Sequence, residues 1–151
     1  MEARESTVQT AEGYADEGYL CSEAVLLALA ESMEVEYELI PRIATGFAAG
    51  VARMGNMCGA LSGAVMGLGL RYGRDIPETE PGRRPYWYGR RLAEAFEEAH
   101  GPVTCPGVLG LKIDDPDDYR RYSEEDMWAT KCREVIKTAA RLAWDLLQEG
   151  K

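Results

Sequence analysis

A chain of 151 residues with 46% apolar side chains is long enough for one domain with its own core, and too apolar to stay disordered. Its 26 acidic and 17 basic residues leave a formal net charge of −9. Self-repulsion at that charge argues against nucleic acid and anionic membrane surfaces as partners.

Helical periodicity dominates and strand alternation is scarce. Near the start, Ser6-Thr7-Val8-Gln9 fits a capping box, and Val8, Ala11, Ala15 and Tyr19 form one apolar stripe before Gly18 interrupts. A second helix is expected from Cys21 to Ser32, with Ala24, Leu27, Ala28 and Leu29 inward. Pro41 suits the first position of a third helix, Arg42 to Val51, running through Ile43 and Phe47. The fourth, Met57 to Tyr72, ends near Gly73. It carries Gly59, Gly63 and Gly67 on one side, each costing about 1 kcal/mol of helix stability relative to alanine. Close approach of another backbone is the compensating gain. Gly46 and Gly50 share the same spacing, so the third and fourth helices are expected to cross glycine side to glycine side.

The polar stretch from Arg74 to Pro85, with Pro77, Pro81 and Gly82, reads as a loop. A fifth helix follows from Tyr86 to Ala99 through Tyr88, Leu92, Ala95 and Phe96, and Gly101-Pro102 stops it. Val103 to Tyr122 reads as irregular and acidic; Asp114 to Asp118 lacks the glycine and spacing of a calcium loop and reads as a turn. Ser123-Glu124-Glu125-Asp126 is placed to cap a last helix reaching Gln148 through Val135, Ile136, Ala139, Leu142, Ala143 and Leu146. The expected architecture is all-α, a single-domain bundle of five or six helices over residues 1–151 with a glycine-rich central pair. The uncharged run Gly55 to Leu70 is shorter than the roughly 20 residues of a membrane span and is bracketed by Arg53 and Arg71, so it reads as a core helix. The opening Met1-Glu2-Ala3-Arg4-Glu5 lacks a secretory pattern, and a cytoplasmic location is expected, where structural disulfides are uncommon.

Chemistry centres on Cys21, Cys58, Cys105 and Cys132, none of them in a Cys-x-x-Cys pair. Cys21 and Cys58 fall at predicted helix starts, where unpaired N–H groups and the dipole lower a thiol from its usual pKa of about 8.5. The two are candidate reactive thiols. With Cys105 and Cys132 added, four sulfurs suit an iron–sulfur cluster, zinc or another metal. Free cysteine also serves as a small buried hydrophobe, and spacing alone leaves that reading open. The costly glycines around Cys58-Gly59-Ala60-Leu61-Ser62-Gly63 favour function for Cys58. Arg53, five positions earlier, is a candidate anion-binding or thiolate-stabilising group, although a surface arginine is the simpler reading. His100, the sole histidine, is better placed to complement a helix C-terminus than to act as a base. Tyr86, Trp87 and Tyr88 suit ordinary packing as well as a pocket or subunit contact, and Arg83-Arg84 and Arg90-Arg91 read as solvated.

The four cysteines and their surroundings resemble the family of redox-active proteins labelled C_GCAxxG_C_C, whose central C-G-A-x-x-G motif is matched by Cys58, Gly59, Ala60 and Gly63. Gly18-Tyr19-Leu20-Cys21-Ser22-Glu23-Ala24-Val25 resembles its first cysteine segment, and Gly46-Phe47 through Arg53-Met54-Gly55 its glycine-rich lead-in. Cys105 with Leu109-Gly110, and Lys131-Cys132, resemble the remaining elements; Arg133 stands where the family is associated with proline. The likeness runs from about Val8 to Leu147. It implies a small helical protein with four functional cysteines, a link to transport systems, and kinship with part of the split-Soret cytochromes, for which an iron–sulfur centre has been suggested. Covalent haem attachment is excluded for want of a Cys-x-x-Cys-His stretch. The expectation is a thiol redox protein with Cys58 and Cys21 as reactive pair and an unidentified redox partner. Gly59, Ala60, Gly63 and Arg53 are then candidate cofactor contacts. The alternatives are a metal or iron–sulfur module on Cys21, Cys58, Cys105 and Cys132, or a structural, partner-binding helical protein. A homodimer through the glycine faces is a further expectation.

Overall fold

A computed structural model of the chain describes residues 2–77, 82 and 84–149. Pro81 and Arg83 of the expected loop and basic patch lie outside the described residues. The fold is all-α, and among the described residues the only β feature is an isolated antiparallel bridge between Met57 and Thr104. Five long helices carry the main core: α1 (Glu2–Asp16), α2 (Cys21–Ser32), α4 (Gly59–Tyr72), α5 (Trp87–His100) and α8 (Arg133–Glu149). Three short ones, α3 (Ala48–Ala52, left-handed from Ala49 on), α6 (Cys105–Leu109) and α7 (Pro116–Glu124), raise the number of helical segments from the expected five or six to eight among the described residues. A 3-10 helix (Arg42–Phe47) and a π turn (Trp128–Cys132) complete the path. The short segments were illegible because five to nine residues hold too few turns for a periodic stripe.

Helices α1 and α8 run antiparallel, clamped at both ends. Arg4 donates to both carboxylate oxygens of Asp145 at 2.9 and 2.8 Å, and Arg133 donates to Glu12 and Asp16 at 3.0 and 2.8 Å. Arg133, the departure from the expected proline, thus ties the start of α8 to the end of α1. Ser6 is not a cap, because α1 begins a turn earlier and the Ser6 carbonyl accepts from the Thr10 hydroxyl at 2.8 Å. Val8, Ala11 and Ala15 are buried as expected, whereas Tyr19 lies beyond the helix.

Helix α2 has the predicted bounds. It is packed on most sides, with Val25, Leu26 and Leu29 fully buried and Leu27 only partly so. Its partner is α4, and here the expected glycine pair is corrected. A Cβ on Gly59 would strike the Cys21 sulfur, one on Gly63 the Ser22 carbonyl, and one on Gly67 the Leu29 side chain. The glycine side of α4 therefore faces α2, the two running in the same direction, and not Gly46 and Gly50. Gly46 meets nothing within 4 Å.

The expected third helix fails because Ile43 and Phe47 are 45% and 42% exposed and no apolar stripe faces the core. The 3-10 segment is held instead by polar side chains of α2: Ser22 donates to the Ala44 carbonyl at 2.7 Å, and Glu23 accepts from the Thr45 hydroxyl at 2.6 Å. Beyond it Ala49, Gly50, Val51, Ala52 and Arg53 all have positive φ, from 51° to 70°. L-residues pay about 1–2 kcal/mol each for that region, and four of these five carry a Cβ. Gly50 cannot be larger, since a Cβ there would lie 2.8 Å from the Asn56 carbonyl oxygen and from Cys105 Cβ.

The expected irregular stretch 103–122 contains two capped helices. Thr104 accepts from the Gly107 N–H at 3.1 Å, and Asp115 accepts from Asp117 and Asp118 at 2.9 and 3.2 Å. Asp114 to Asp118 is thus largely a helix start rather than a turn. Ser123 and Glu124 belong to the end of α7 and cap nothing; the last helix is entered through the π turn. A satellite core of Cys105, Leu109, Leu111, Ile113 and Met127 sits beside the main one.

Three substitutions test this packing and the strained turn. Gly63→Ala should cost about 1–3 kcal/mol in urea unfolding, because the Ser22 carbonyl is backbone and cannot yield. Gly13→Ala, exposed on α1 with nothing near its Cβ position, should instead gain up to about 1 kcal/mol. Ala52→Gly, at an exposed left-handed position, should raise the urea midpoint by relieving strain; a lowered midpoint contradicts the strained turn.

Candidate functional site

A cavity of ≈ 220 Å³ lies on the seam between the main and satellite cores, and Cys21, Cys58, Cys105 and Cys132 all line it. Its remaining wall is mainly apolar, including Leu20, Val108, Leu109, Ile113 and Trp128, with Arg53, Tyr119 and Tyr122 as the polar-tipped members. All four thiols are free.

Each cysteine arrives by a different local device. Cys21 opens α2, where Glu23 accepts from the Leu20 N–H at 2.9 Å. Its sulfur rests on the bare face of Gly59, which explains the glycine directly after Cys58. Cys58 is the N-cap of α4 and is 8% exposed. The bridge that joins Met57 to Thr104 ties Cys58 and Cys105 to one short ladder, at its diagonal ends: Cys58 N–H donates to the Val103 carbonyl at 2.7 Å, and Cys105 N–H donates to the Asn56 carbonyl at 2.9 Å. Cys132 ends the π turn, an irregularity often found at functional sites. Its sulfur lies 3.5 Å from the Tyr122 hydroxyl.

Backbone N–H groups of Ala49 and Ser22 at Cys21, and of Ala60 and Leu61 at Cys58, favour the thiolate form. The strained turn therefore delivers the Ala49 amide, and the α4 start delivers the pair at Cys58. The expected lowering of thiol pKa is nonetheless reversed, because removal from water outweighs these donors. Burial pushes the Cys21 thiol up, and Cys58 and Cys105 up to about 12, with neighbouring cysteines adding to the rise at both. Burial also lifts Cys132 to about 11, opposed by the Tyr122 hydrogen bond, and raises Tyr122 itself. No standing thiolate is favoured.

Of the other predicted positions, Gly59, Ala60 and Arg53 line the cavity, whereas Gly63 does not and is covered by the Ser22 carbonyl. Arg53 is exposed at the mouth, its guanidinium carbon 4.2 Å from the Tyr119 ring centroid. Tyr119 stacks on Tyr122 at 6.1 Å, completing an Arg53–Tyr119–Tyr122–Cys132 wall. Sequence reading missed Tyr119, Tyr122 and Trp128; the i, i+3 tyrosines ahead of Cys132 were the available signal. His100 lies outside the cavity, packed at 5.3 Å on Phe96 with an unpartnered Nε2 and its pKa lowered by burial. Tyr86, Trp87 and Tyr88 are also elsewhere; Trp87 packs under Arg84 and Arg90, and Tyr88 beside Tyr72.

Four soft sulfur donors on one apolar wall match the preference of iron–sulfur clusters and zinc. Among the described residues, however, no three His, Cys, Asp or Glu side chains are grouped so as to hold a metal ion. A metal would require the sulfurs to draw together, so the site as it stands is a thiol cavity and not a preformed metal cage.

Among the described residues no helix is long and apolar enough to cross a membrane. No curated protein and no solved structure matches the chain. One family model does, over residues 19–146, and its description is "Putative redox-active protein (C_GCAxxG_C_C)". With four cysteines converging on one cavity and a match across most of its length, the chain belongs to the C_GCAxxG_C_C family.

Proposed function

We propose that the protein is a thiol–disulfide redox protein in which Cys21 and Cys58 form the reactive pair and Cys105 and Cys132 are accessory thiols that exchange with it. The observation that carries this reading is the meeting of four thiols, from four distant parts of the chain, on the wall of one cavity. Cysteines serving only as small hydrophobes have no reason to share a surface. The contact of Cys21 with Gly59 supports the pairing, since it sets that sulfur against the residue following Cys58.

Burial suits a chemistry whose resting states are neutral. Two thiols and a disulfide bond are both uncharged, and both are compatible with the apolar wall; a thiolate is needed only during exchange. The balanced reaction is R–S–S–R + 2 Cys–SH → Cys–S–S–Cys + 2 R–SH, the oxidant being a protein or small-molecule disulfide. The N–H groups at Cys21 and Cys58 lower the cost of the transient anion. Arg53 at the mouth serves an approaching anionic group.

Treatment of the reduced protein with a disulfide oxidant should lower the free-thiol count from four, reversibly, and Cys21→Ser or Cys58→Ser should abolish the Cys21–Cys58 disulfide. Four thiols that stay inert in the folded protein would overturn the reading. Alkylation should report the raised pKa values. At pH 8 the native thiols should react more than about tenfold slower than urea-unfolded ones, and their rate should keep climbing above pH 9, where the unfolded rate levels off. The sign follows from protonation: a thiol held near 12 is almost wholly neutral at pH 8, whereas an unfolded one near 8.5 is partly ionised.

A second reading is a metal or iron–sulfur module on the same four cysteines, favoured by four soft sulfur donors lining one cavity. Anaerobic purification with metal analysis and a visible spectrum separates the two. A colourless protein with substoichiometric metal is expected; stoichiometric iron with visible absorbance favours the module instead.

A further inference from the structure

Beside the cysteine cavity lies a second one of ≈ 270 Å³, and Ala49, Arg53, Cys105 and Ile113 line both. Cys105 is the one cysteine among those shared residues. Their characters differ. The first is walled chiefly by apolar side chains, whereas the second presents Arg53 and Lys112 against a single carboxylate, Asp114. Two basic residues thus line one hollow on a chain with a net charge of −9. Arg53 is steadied by its contact with the Tyr119 ring, and the Lys112 backbone is pinned by its N–H donating to the Asp118 carboxylate at 2.9 Å. Among the described residues neither Arg53 nor Lys112 forms a side-chain salt bridge.

We propose that this second cavity docks a small disulfide bearing carboxylates, with its carboxylates toward Arg53 and Lys112 and its sulfur–sulfur bond against Cys105. The inference rests on the thiol–disulfide reading and names its substrate class. Cys105 sulfur attacks one sulfur of R–S–S–R, forming Cys105–S–S–R; the departing R–S⁻ takes up the Cys105 proton and leaves as R–SH. Cys58 then attacks the Cys105 sulfur, forming Cys58–S–S–Cys105 and releasing the second R–SH, and Cys21 attacks the Cys58 sulfur, returning Cys105 to the thiol and leaving the Cys21–Cys58 disulfide. The ligand disulfide is reduced and the protein dithiol is oxidised by the same two electrons. Cys105 is the entry thiol because it is the one cysteine that both cavities share.

The test measures thiol loss in the full-length reduced protein with two oxidants, glutathione disulfide, which carries carboxylates, and cystamine, which is cationic. Each rate is divided by that of the urea-unfolded chain to remove intrinsic reactivity. The folded protein should prefer glutathione disulfide, and the preference should collapse in 1 M salt, where the Debye length falls to about 3 Å. Arg53→Gln and Lys112→Gln should each lower the glutathione disulfide rate about three- to fivefold and raise the cystamine rate. Asp114→Asn should shift both rates the opposite way, which a merely structural disturbance would not do. If Arg53→Gln proves unfolded, the Lys112 and Asp114 variants decide the question. A rate ratio unmoved by all the folded variants overturns this inference while leaving the redox reading in place. Failure of both disulfides to oxidise the wild-type protein overturns both.

Discussion

The close approach of α4 to α2 is the contact on which the rest of the structure depends. Three glycines at four-residue intervals bring the α4 backbone against Cys21, the Ser22 carbonyl and Leu29. Glycine costs helix stability, and the return here is positional as well as energetic. It sets the Cys21 sulfur beside the start of α4, where Cys58 is the N-cap. A methyl group at Gly59 would displace that sulfur, so the motif's first glycine belongs to the site as much as the cysteine before it.

Around this contact, irregular backbone does the positioning that regular helices cannot. The left-handed turn carries Ala49 to the cavity, the isolated bridge ties Cys58 and Cys105 to one short ladder, and the π turn delivers Cys132 to Tyr122. Strained or irregular segments persist where surrounding structure over-determines them, and here three border one cavity. The electrostatics are a contest between the backbone N–H groups at Cys21 and Cys58 and loss of water. Loss of water wins at every thiol, which makes neutral resting states the natural ones for this site.

Membership in a redox-active family, the shared cavity and the glycine-seated sulfur point the same way, toward chemistry between sulfurs. The neighbouring basic hollow adds direction to that chemistry. On a chain of net charge −9, Arg53 and Lys112 beside Cys105 are where the proposed carboxylate-bearing partner would be received.

Helix type, the bounds of α2 and the end of α4 were legible in the residues, because 12 or more positions give a stripe time to repeat and Gly73 marks a stop. So were the four cysteines and the meaning of Gly59, since a costly residue in a helix signals close contact. The partner of that contact was not legible: Gly46 and Gly50 offered the same spacing as Ser22 and Leu29 offered none, and only packing chose α2. The short helices α6 and α7 and the tyrosine wall escaped for lack of periodicity. The thiol pKa direction was also beyond reach. Sequence locates a helix start, a local property, whereas desolvation depends on every chain segment that closes over the sulfur, and those segments meet only in the folded molecule.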